Sequence, residues 1–278
     1  MSEKPNAPMT RDPKPTEHLR EFAFTRTDLI ALLGVLSVIT LLAIPAMAAS
    51  VSGSHRITCL SNLKRLGQAF LLYAADNQGY APHPTWGGNL TGPNGWAYAT
   101  RNDGRYPEAP QNPRSQMGRI FSVAREAQLP FLKMGQIWPY VLDEDAYLCP
   151  GDFAGWDSLP TRRMWIARPW KLSSFNANGA TIGYGSHPGR EGSTVRLSWF
   201  RPDDALLWEQ SATDGFFFND AGTFGGESMT TLHDGGGHVA AADGRVDWLD
   251  GKDYRKLAGE RTRNRIWCYP LTRNGGSP

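Results

Sequence analysis

The apolar pattern of the chain begins abruptly, with an uncharged run from Leu29 to Ala49 that follows a polar segment. The run contains 21 residues, and its only polar side chains are Ser37 and Thr40. As a helix rising 1.5 Å per residue it would be about 31 Å long, close to the thickness of the hydrocarbon core of a bilayer. The pattern therefore predicts a transmembrane helix over about residues 24–49.

The apolar run then changes into a helical stripe that continues to about Ala75. Apolar residues recur at intervals of three or four, and the polar residues Lys64, Arg65 and Gln68 fall between them. The sequence Asp76-Asn77-Gln78-Gly79 is a helix stop signal. We therefore predict one long N-terminal helical segment over residues 24–79, apolar on all sides at first and amphipathic later.

The remaining part of the chain, residues 80–278, has the pattern of short strands joined by many turns. The sequence holds 30 glycines and 20 prolines, and both are dense between Ala81 and Ser115. A helical piece is predicted over Met117–Leu142. Short apolar or alternating runs predict strands at Thr181–Tyr184, Val195–Phe200, Ala205–Trp208 and Phe216–Phe218.

The clearest strand prediction is a β-hairpin near the C-terminus. The runs 238–242 and 245–249 are separated by Asp243-Gly244, a dipeptide typical of a two-residue type I′ turn. The loop 234–237 before them contains three consecutive glycines, which indicates close approach of the backbone to another group. We expect His233 to hydrogen-bond the turn or a neighbouring loop and to hold the hairpin on the sheet.

Together these patterns predict an α+β fold, in which a long N-terminal transmembrane helix packs on an antiparallel β-sheet with long loops. The segments are residues 1–23, the helix 24–79 and a globular β-rich domain over 80–278. The formal net charge of +2 is too small to indicate a nucleic-acid partner.

Asp28 stands at the start of the apolar run, where a charged side chain needs a partner if the run enters a bilayer. A free amine produced by cleavage between Ala23 and Phe24 would supply the opposite charge. Residues 1–23, with four basic and four acidic side chains, would then be a leader. Two alternatives are an ordinary secretory signal cleaved after Ala48 and an uncleaved membrane anchor.

The segment Phe24-Thr25-Arg26-Thr27-Asp28-Leu29 resembles the start of type IV prepilins and pseudopilins, whose usual form is Phe-Thr-Leu-Ile-Glu-Leu. Pro45 is the twenty-second residue counted from Phe24, where that family has its helix-kinking proline. Ala23 replaces the customary glycine before the cleavage site, and Asp28 replaces the glutamate.

Three further elements resemble a narrower group, the large type II secretion-like pseudopilins of planctomycetes and verrucomicrobia. The first is the segment 59–77, which begins Cys59-Leu60-Ser61-Asn62-Leu63-Lys64. The second is Cys149-Pro150-Gly151-Asp152. The third is a C-terminal motif of His233, nine residues and Asp243-Gly244. The resemblance thus covers both ends and the middle of the chain.

This resemblance implies a pilin-like fold and a structural role in protein secretion, without enzymatic activity. A prepilin peptidase would remove residues 1–23 and methylate the Phe24 amine. An inner-membrane assembly platform and its ATPase would then build the subunit, with other pseudopilins, into a type II secretion filament. Asp28 would neutralise the Phe24 amine of a neighbour. A single span would hold the chain in the lipid bilayer, kinked at Pro45, with the globular domain in the periplasm.

The three cysteines permit one disulfide and leave one thiol. Cys59 lies on the helix face near the apolar stripe, and Cys149 lies in the loop that we expect to cross it. This placement favours a Cys59–Cys149 pair over Cys149–Cys268, although spacing alone does not decide between them.

Three alternative functions follow from other residue types. The pseudopilin interpretation requires no cofactor. The first alternative is calcium binding, because Asp214, Asp220, Asp234 and Asp243 are carboxylates in glycine-rich loops, and calcium prefers oxygen ligands. A zinc hydrolase built on His233, His238 and Asp243 lacks any established ligand spacing. A membrane-anchored glycan-binding module would use some of the ten tryptophans, which would then be exposed and coplanar instead of buried.

Overall fold

The computed structural model describes residues 25–85, 94–99, 117–154, 159–184, 194–211 and 221–277; within its helices, the side chains of 42–52, 117, 154 and 159–162 are not described. The chain divides into two compact units, Met1–Ala49 and Ser50–Pro278. The predicted cleavage site, Ala23 and Phe24, lies outside the described residues.

Helix α1 runs over Arg26–Asp76 and contains 51 residues, within the segment predicted from the apolar pattern. The helix ends at the predicted stop signal, where Gln78 and Gly79 have left-handed φ angles of 56° and 85°. The Gly79 N–H donates to the Ala74 carbonyl oxygen at 2.7 Å. A left-handed residue that closes the last turn in this way is a common helix C-terminus.

The predicted transmembrane span over residues 24–49 is wrong. In the described part of the chain, no helix combines the length and the apolar character that are needed to cross a bilayer.

The second unit adds five α-helices within the described residues. They are α2 (Met117–Leu132), α3 (Trp138–Val141), α4 (Pro150–Ala154), α5 (Leu159–Ala167) and α6 (Gly251–Gly259). The single helical piece predicted over Met117–Leu142 is thus divided in two. The chain turns at Gly135, whose N–H donates to the Leu132 carbonyl oxygen at 2.9 Å, and an added Cβ there would lie 2.9 Å from the Trp96 carbonyl oxygen, so the turn requires glycine.

The sheet is mixed, which corrects the predicted antiparallel sheet. Its strands are β1 (Phe175–Asn178), β2 (Ala205–Glu209), β3 (Gly222–Thr223), β4 (Gly236–Ala241) and β5 (Val246–Asp250). Their order is β3-β1-β2-β4-β5, and the β1–β3 pair alone is parallel. After β2 the chain crosses to the far side of β1, so β3 runs beside β1 in the same direction.

The C-terminal hairpin is formed by β4 and β5, as predicted, but its turn differs. The Ala241 N–H donates to the Arg245 carbonyl oxygen and the Gly244 N–H donates to the Ala241 carbonyl oxygen, both at 2.9 Å. Gly244 has a positive φ of 85°, and Asp243 does not. The connection is therefore a three-residue loop with glycine in the left-handed position, in place of a type I′ turn.

Two other predicted strands are short 3₁₀ turns. Gly179–Ile182 forms one where Thr181–Tyr184 was predicted, and Gly183 and Tyr184 have positive φ angles that end it. Leu197–Trp199 forms the other, inside the predicted strand 195–200. The predicted strand 216–218 lies outside the described residues.

The main core of the second unit lies between α1 and the sheet. The buried residues Leu63, Leu66 and Phe70 of α1 share one hydrophobic cluster with Leu207 of β2 and Ala240 of β4. Their spacing of three and four matches the stripe read from the sequence, so this part of α1 is the amphipathic helix that was predicted.

Candidate functional site

The start of α1 is held by reciprocal hydrogen bonds between Thr25 and Asp28. The Asp28 N–H donates to Thr25 Oγ1 at 3.2 Å, and Asp28 Oδ2 accepts from the Thr25 hydroxyl at 2.7 Å and the Thr25 N–H at 2.9 Å. This is a capping box with aspartate in place of glutamate. The bond from the Thr25 hydroxyl, followed by that from its N–H, lowers the pKa of the Asp28 carboxyl. Among the described residues, nothing donates to the second oxygen, Oδ1.

Beyond Asp28, α1 exposes apolar side chains on every side. We call Leu29–Leu41 the apolar segment; its large side chains are 46–72% exposed. Contiguous apolar exposure on this scale normally marks a surface that another molecule covers. Pro45 lies further along α1, in the part whose side chains are not described.

In the second unit, the buried side chain of His233 meets three other buried side chains. Its Nε2 lies 3.0 Å from Glu209 Oε1 and 3.3 Å from Cys149 Sγ, and Cys149 forms a disulfide with Cys59. One ligand atom from each of the four residues lies within 4.8 Å of the others. We call Cys59, Cys149, Glu209 and His233 the His233 cluster.

A tight turn places His233 at the head of the hairpin. The N–H of His233 donates to the Gly236 carbonyl oxygen at 3.1 Å, and the Gly236 N–H donates back at 3.2 Å. The two central residues, Asp234 and Gly235, have φ angles of 56° and 84°. Trp248 on β5 donates its indole N–H to the His233 carbonyl oxygen at 2.8 Å. The backbone of His233 is thus tied to the hairpin, while its ring contacts β2 and the disulfide instead of a loop.

Two glycines of the segment 234–237, Gly236 and Gly237, do have close contacts, as predicted. A Cβ added at Gly236 would lie 2.2 Å from the Leu249 carbonyl oxygen, and one at Gly237 would lie 2.8 Å from Thr230 Cγ2. Both glycines belong to β4 itself, so they are strand residues and not part of a loop.

Glu209 is a buried carboxylate held by two histidines. Its Oε2 accepts from the His238 N–H at 2.7 Å and lies 3.2 Å from His238 Nδ1. Burial opposes ionisation, but the hydrogen bonds from His233 and His238 outweigh it and hold the pKa of Glu209 below its usual value. The cluster therefore contains a buried negative charge. Sequence analysis missed Glu209, although an acid that ends the apolar strand Ala205–Trp208 is a signal that could have found it.

The disulfide joins Cys59 and Cys149, the pair that the sequence analysis favoured, and their Cα atoms are 5.1 Å apart. Cys268 is a free, buried thiol, and burial raises its pKa well above the usual value. Neither sulfur of a disulfide carries a proton, so Cys149 cannot donate a hydrogen bond to His233. His233 Nε2 therefore carries the hydrogen itself and donates it to Glu209.

The Cys149-Pro150-Gly151-Asp152 element ends in a buried ion pair. Asp152 accepts from both terminal nitrogens of Arg168, at 2.5 and 2.7 Å, and from Ser174 Oγ at 2.8 Å. Ser174 Oγ also accepts from the Cys149 N–H at 3.0 Å. Bidentate pairs of this kind are strong and geometrically specific. Asp152 and Ser174 therefore hold Cys149 in place against His233.

Other predicted ligands have partners of their own. Asp234 pairs with Arg56 at 2.6 Å, and Asp243 pairs with Arg245 at 2.9 Å. Within the described residues, neither aspartate belongs to a group of three or more potential metal ligands. The other two calcium candidates, Asp214 and Asp220, lie outside the described residues.

The three residues of the predicted zinc-hydrolase site, His233, His238 and Asp243, do not lie together. His233 and His238 both contact Glu209, with ring centroids 5.2 Å apart, whereas Asp243 lies in the hairpin loop. Gly244 beside it makes a close contact with α1, because an added Cβ would lie 2.8 Å from Leu71 Cδ1. The Asp243-Gly244 end of the motif thus shapes a turn under α1.

Comparison with known proteins gives no match: no protein-family model, curated protein or solved structure is similar to this chain.

The tryptophans belong mostly to the core. Among the eight in the described residues, five are fully or almost fully buried, namely Trp96, Trp165, Trp170, Trp208 and Trp267. Trp199 and Trp248 are 48% and 37% exposed. Trp248 contacts Arg56, whose guanidinium lies 5.5 Å from its ring centroid. This distribution favours packing over a stacked glycan-binding surface.

Proposed function

We propose that the chain is a pseudopilin-like filament subunit that acts by assembly and not by catalysis. The observation that carries this proposal is the apolar segment Leu29–Leu41, exposed on every side of α1. A helix that is apolar all round is normally buried in a larger structure. In the proposed filament, the same segment of neighbouring subunits covers it.

The charge at the start of α1 supports the same proposal. Asp28 uses one carboxylate oxygen for the capping box, and no described residue donates to the other. In our proposal a prepilin peptidase cleaves between Ala23 and Phe24, and the Phe24 amine of a neighbouring subunit donates to Asp28 Oδ1. Pairing of opposite charges among apolar helices would fix the axial register of adjacent subunits.

The second unit fits the periplasmic side of such an assembly. Disulfides persist in oxidising compartments such as the bacterial periplasm, and Cys59 is joined to Cys149. The proposed partners are other pseudopilins, an inner-membrane platform protein and its assembly ATPase, and the proposed role is structural support of protein secretion.

The test separates the charge of Asp28 from its capping role. Asp28→Asn keeps an oxygen that accepts from Thr25 but removes the charge, whereas Asp28→Ala removes both. We expect both variants of the full chain to lose at least about tenfold in filament incorporation, measured in sheared filaments, because an apolar interface tolerates an unpaired amine poorly. Thr25→Val is the matched control: it removes the cap hydroxyl and leaves the charge.

Wild-type incorporation by Asp28→Asn would contradict the proposal, and so would equal losses in Thr25→Val and Asp28→Asn. Mass spectrometry of the purified native protein gives the second criterion. We expect a mature N-terminus at Phe24 with a methylated amine; an N-terminus at Met1 or Ala49 would also contradict it.

A further inference from the structure

We propose that the His233 cluster binds one zinc ion when the Cys59–Cys149 disulfide is reduced. Reduction gives two thiols; zinc binding would release their two protons to solvent and would require the His233 ring proton to move from Nε2 to Nδ1. The ion would then meet two thiolates, one imidazole nitrogen and one carboxylate oxygen at one buried point. Four ligands of these types are the usual set for tetrahedral zinc, and paired thiolates favour zinc over calcium or magnesium. This inference is independent of filament assembly.

The measured distances suit such a site. Zinc bond lengths of about 2.0–2.3 Å place tetrahedral ligand atoms roughly 3.3–3.8 Å apart. His233 Nε2 is already 3.3 Å from Cys149 Sγ and 3.0 Å from Glu209 Oε1. Once the S–S bond is broken, the two sulfurs only need to separate to about 3.8 Å, which rotation about the Cys side chains permits.

Hydrogen bonds to neighbouring groups, none of which involves a cysteine sulfur, hold the ligand residues in place. His238 contacts Glu209 Oε2, the oxygen that does not face His233, through its backbone N–H and through Nδ1. Ser174 Oγ accepts from the Cys149 N–H. Asn62 on α1 donates its side-chain N–H groups to the carbonyl oxygens of Asp145 and Leu148, at 3.0 and 2.8 Å. Supporting hydrogen bonds of this kind orient metal ligands and raise affinity.

The site would load while the chain folds. All four ligand residues are buried, so the reduced polypeptide would capture zinc before the second unit closes. Zinc would then tie α1 to the segment before α4 until the cysteines are oxidised. A disulfide oxidant of low molecular weight converts one form into the other: the bound dithiolate transfers two electrons to the oxidant. The products are the Cys59–Cys149 disulfide, two thiolates of the oxidant and free Zn²⁺.

The experiment compares two redox states of one sequence. The full chain is refolded from denaturant with a phosphine reductant and one equivalent of Zn²⁺, or oxidised and then given the same Zn²⁺. After gel filtration, zinc is measured by elemental analysis. We expect one zinc per chain in the reduced protein and none in the oxidised protein. Cobalt(II) in the reduced protein should show the visible bands of a tetrahedral site and a thiolate charge-transfer band.

Variants identify the ligands. We expect Glu209→Gln and the double variant C59S/C149S to lower zinc affinity at least about tenfold, on the scale seen when metal-site groups are altered. Cys268→Ala is the matched control, because this third cysteine lies outside the cluster, and it should keep one zinc. Near-ultraviolet circular dichroism confirms that each variant is folded. A zinc-free reduced wild type, or an unchanged zinc affinity in folded C59S/C149S, would overturn the proposal.

Discussion

His83 is a buried imidazole that the folded chain keeps neutral. Its Nδ1 accepts a hydrogen bond from the Thr85 N–H at 3.1 Å, so the ring proton lies on Nε2. Among the described residues, Nε2 has no hydrogen-bond partner. Burial lowers the pKa of His83 from 6.5 to about 4. A protonated ring would also lose the bond from Thr85, since both ring nitrogens would then be donors.

His83 should therefore make the second unit less stable as the pH falls. The unfolded chain binds a proton near pH 6.5 and the folded chain only near pH 4, so stability is lost between these values. From pH 7.5 to 5.0 we expect the contribution of His83 to the unfolding free energy to fall by about 2 kcal/mol, measured by urea unfolding.

His83→Gln should remove this part of the pH dependence. His55→Gln, which replaces a partly exposed histidine of α1, should retain it. An unchanged pH dependence in His83→Gln would show that the ring does not titrate as the structure implies.

At the scale of elements, α1 lies against the sheet at a glycine. An ideal Cβ added at Gly67 would lie 3.3 Å from Ala240 Cβ on β4, closer than ordinary van der Waals contact. Gly67 follows Leu66, which is fully buried, and precedes Gln68, which is exposed. The absence of a side chain at Gly67 thus allows the helix to approach β4 closely at Ala240.

A larger side chain at Gly67 should push α1 away from β4. We expect Gly67→Val to lower the unfolding free energy by about 1–3 kcal/mol, the usual result of overpacking a core, measured by urea unfolding. Gln68→Val introduces the same side chain on the exposed face and should change stability by less than about 0.5 kcal/mol. Because valine has a higher helix propensity than glycine, propensity would not destabilise Gly67→Val; a Gly67→Val variant as stable as the wild type would show that the contact with Ala240 does not restrict this position.

At the scale of the whole second unit, the disulfide closes a long loop. Cys59 and Cys149 are 90 residues apart in the sequence, so the bond restricts a large part of the unfolded chain. Reduction in the presence of a metal chelator should lower the unfolding free energy of the wild type by about 2–4 kcal/mol. The measurement is urea unfolding with and without reductant.

The double variant C59A/C149A supplies the control for this experiment, because reductant should leave its stability unchanged. If reductant destabilised this variant as much as the wild type, the effect would not come from the Cys59–Cys149 bond. If the wild type did not respond, the bond would contribute nothing to stability.

The sequence by itself determined the elements whose signals are local. The apolar spacing from Leu60 to Ala74 and the stop signal at Gly79 predicted α1, and the Asp243-Gly244 pair located the hairpin. Helical periodicity and turn chemistry depend on neighbours a few residues apart, so they can be read from one chain. The Thr25–Asp28 capping box was readable in the same way, although the sequence pattern indicated for Asp28 only a contact between subunits.

Only the tertiary structure decided which distant groups meet. No local signal specifies that β3 pairs with β1 in parallel, or that Glu209 lies between His233 and His238. The spacing of three cysteines left two pairings open, and folding placed Cys59 beside Cys149. These contacts join residues 24 to 90 positions apart, and they form because the whole core packs around them.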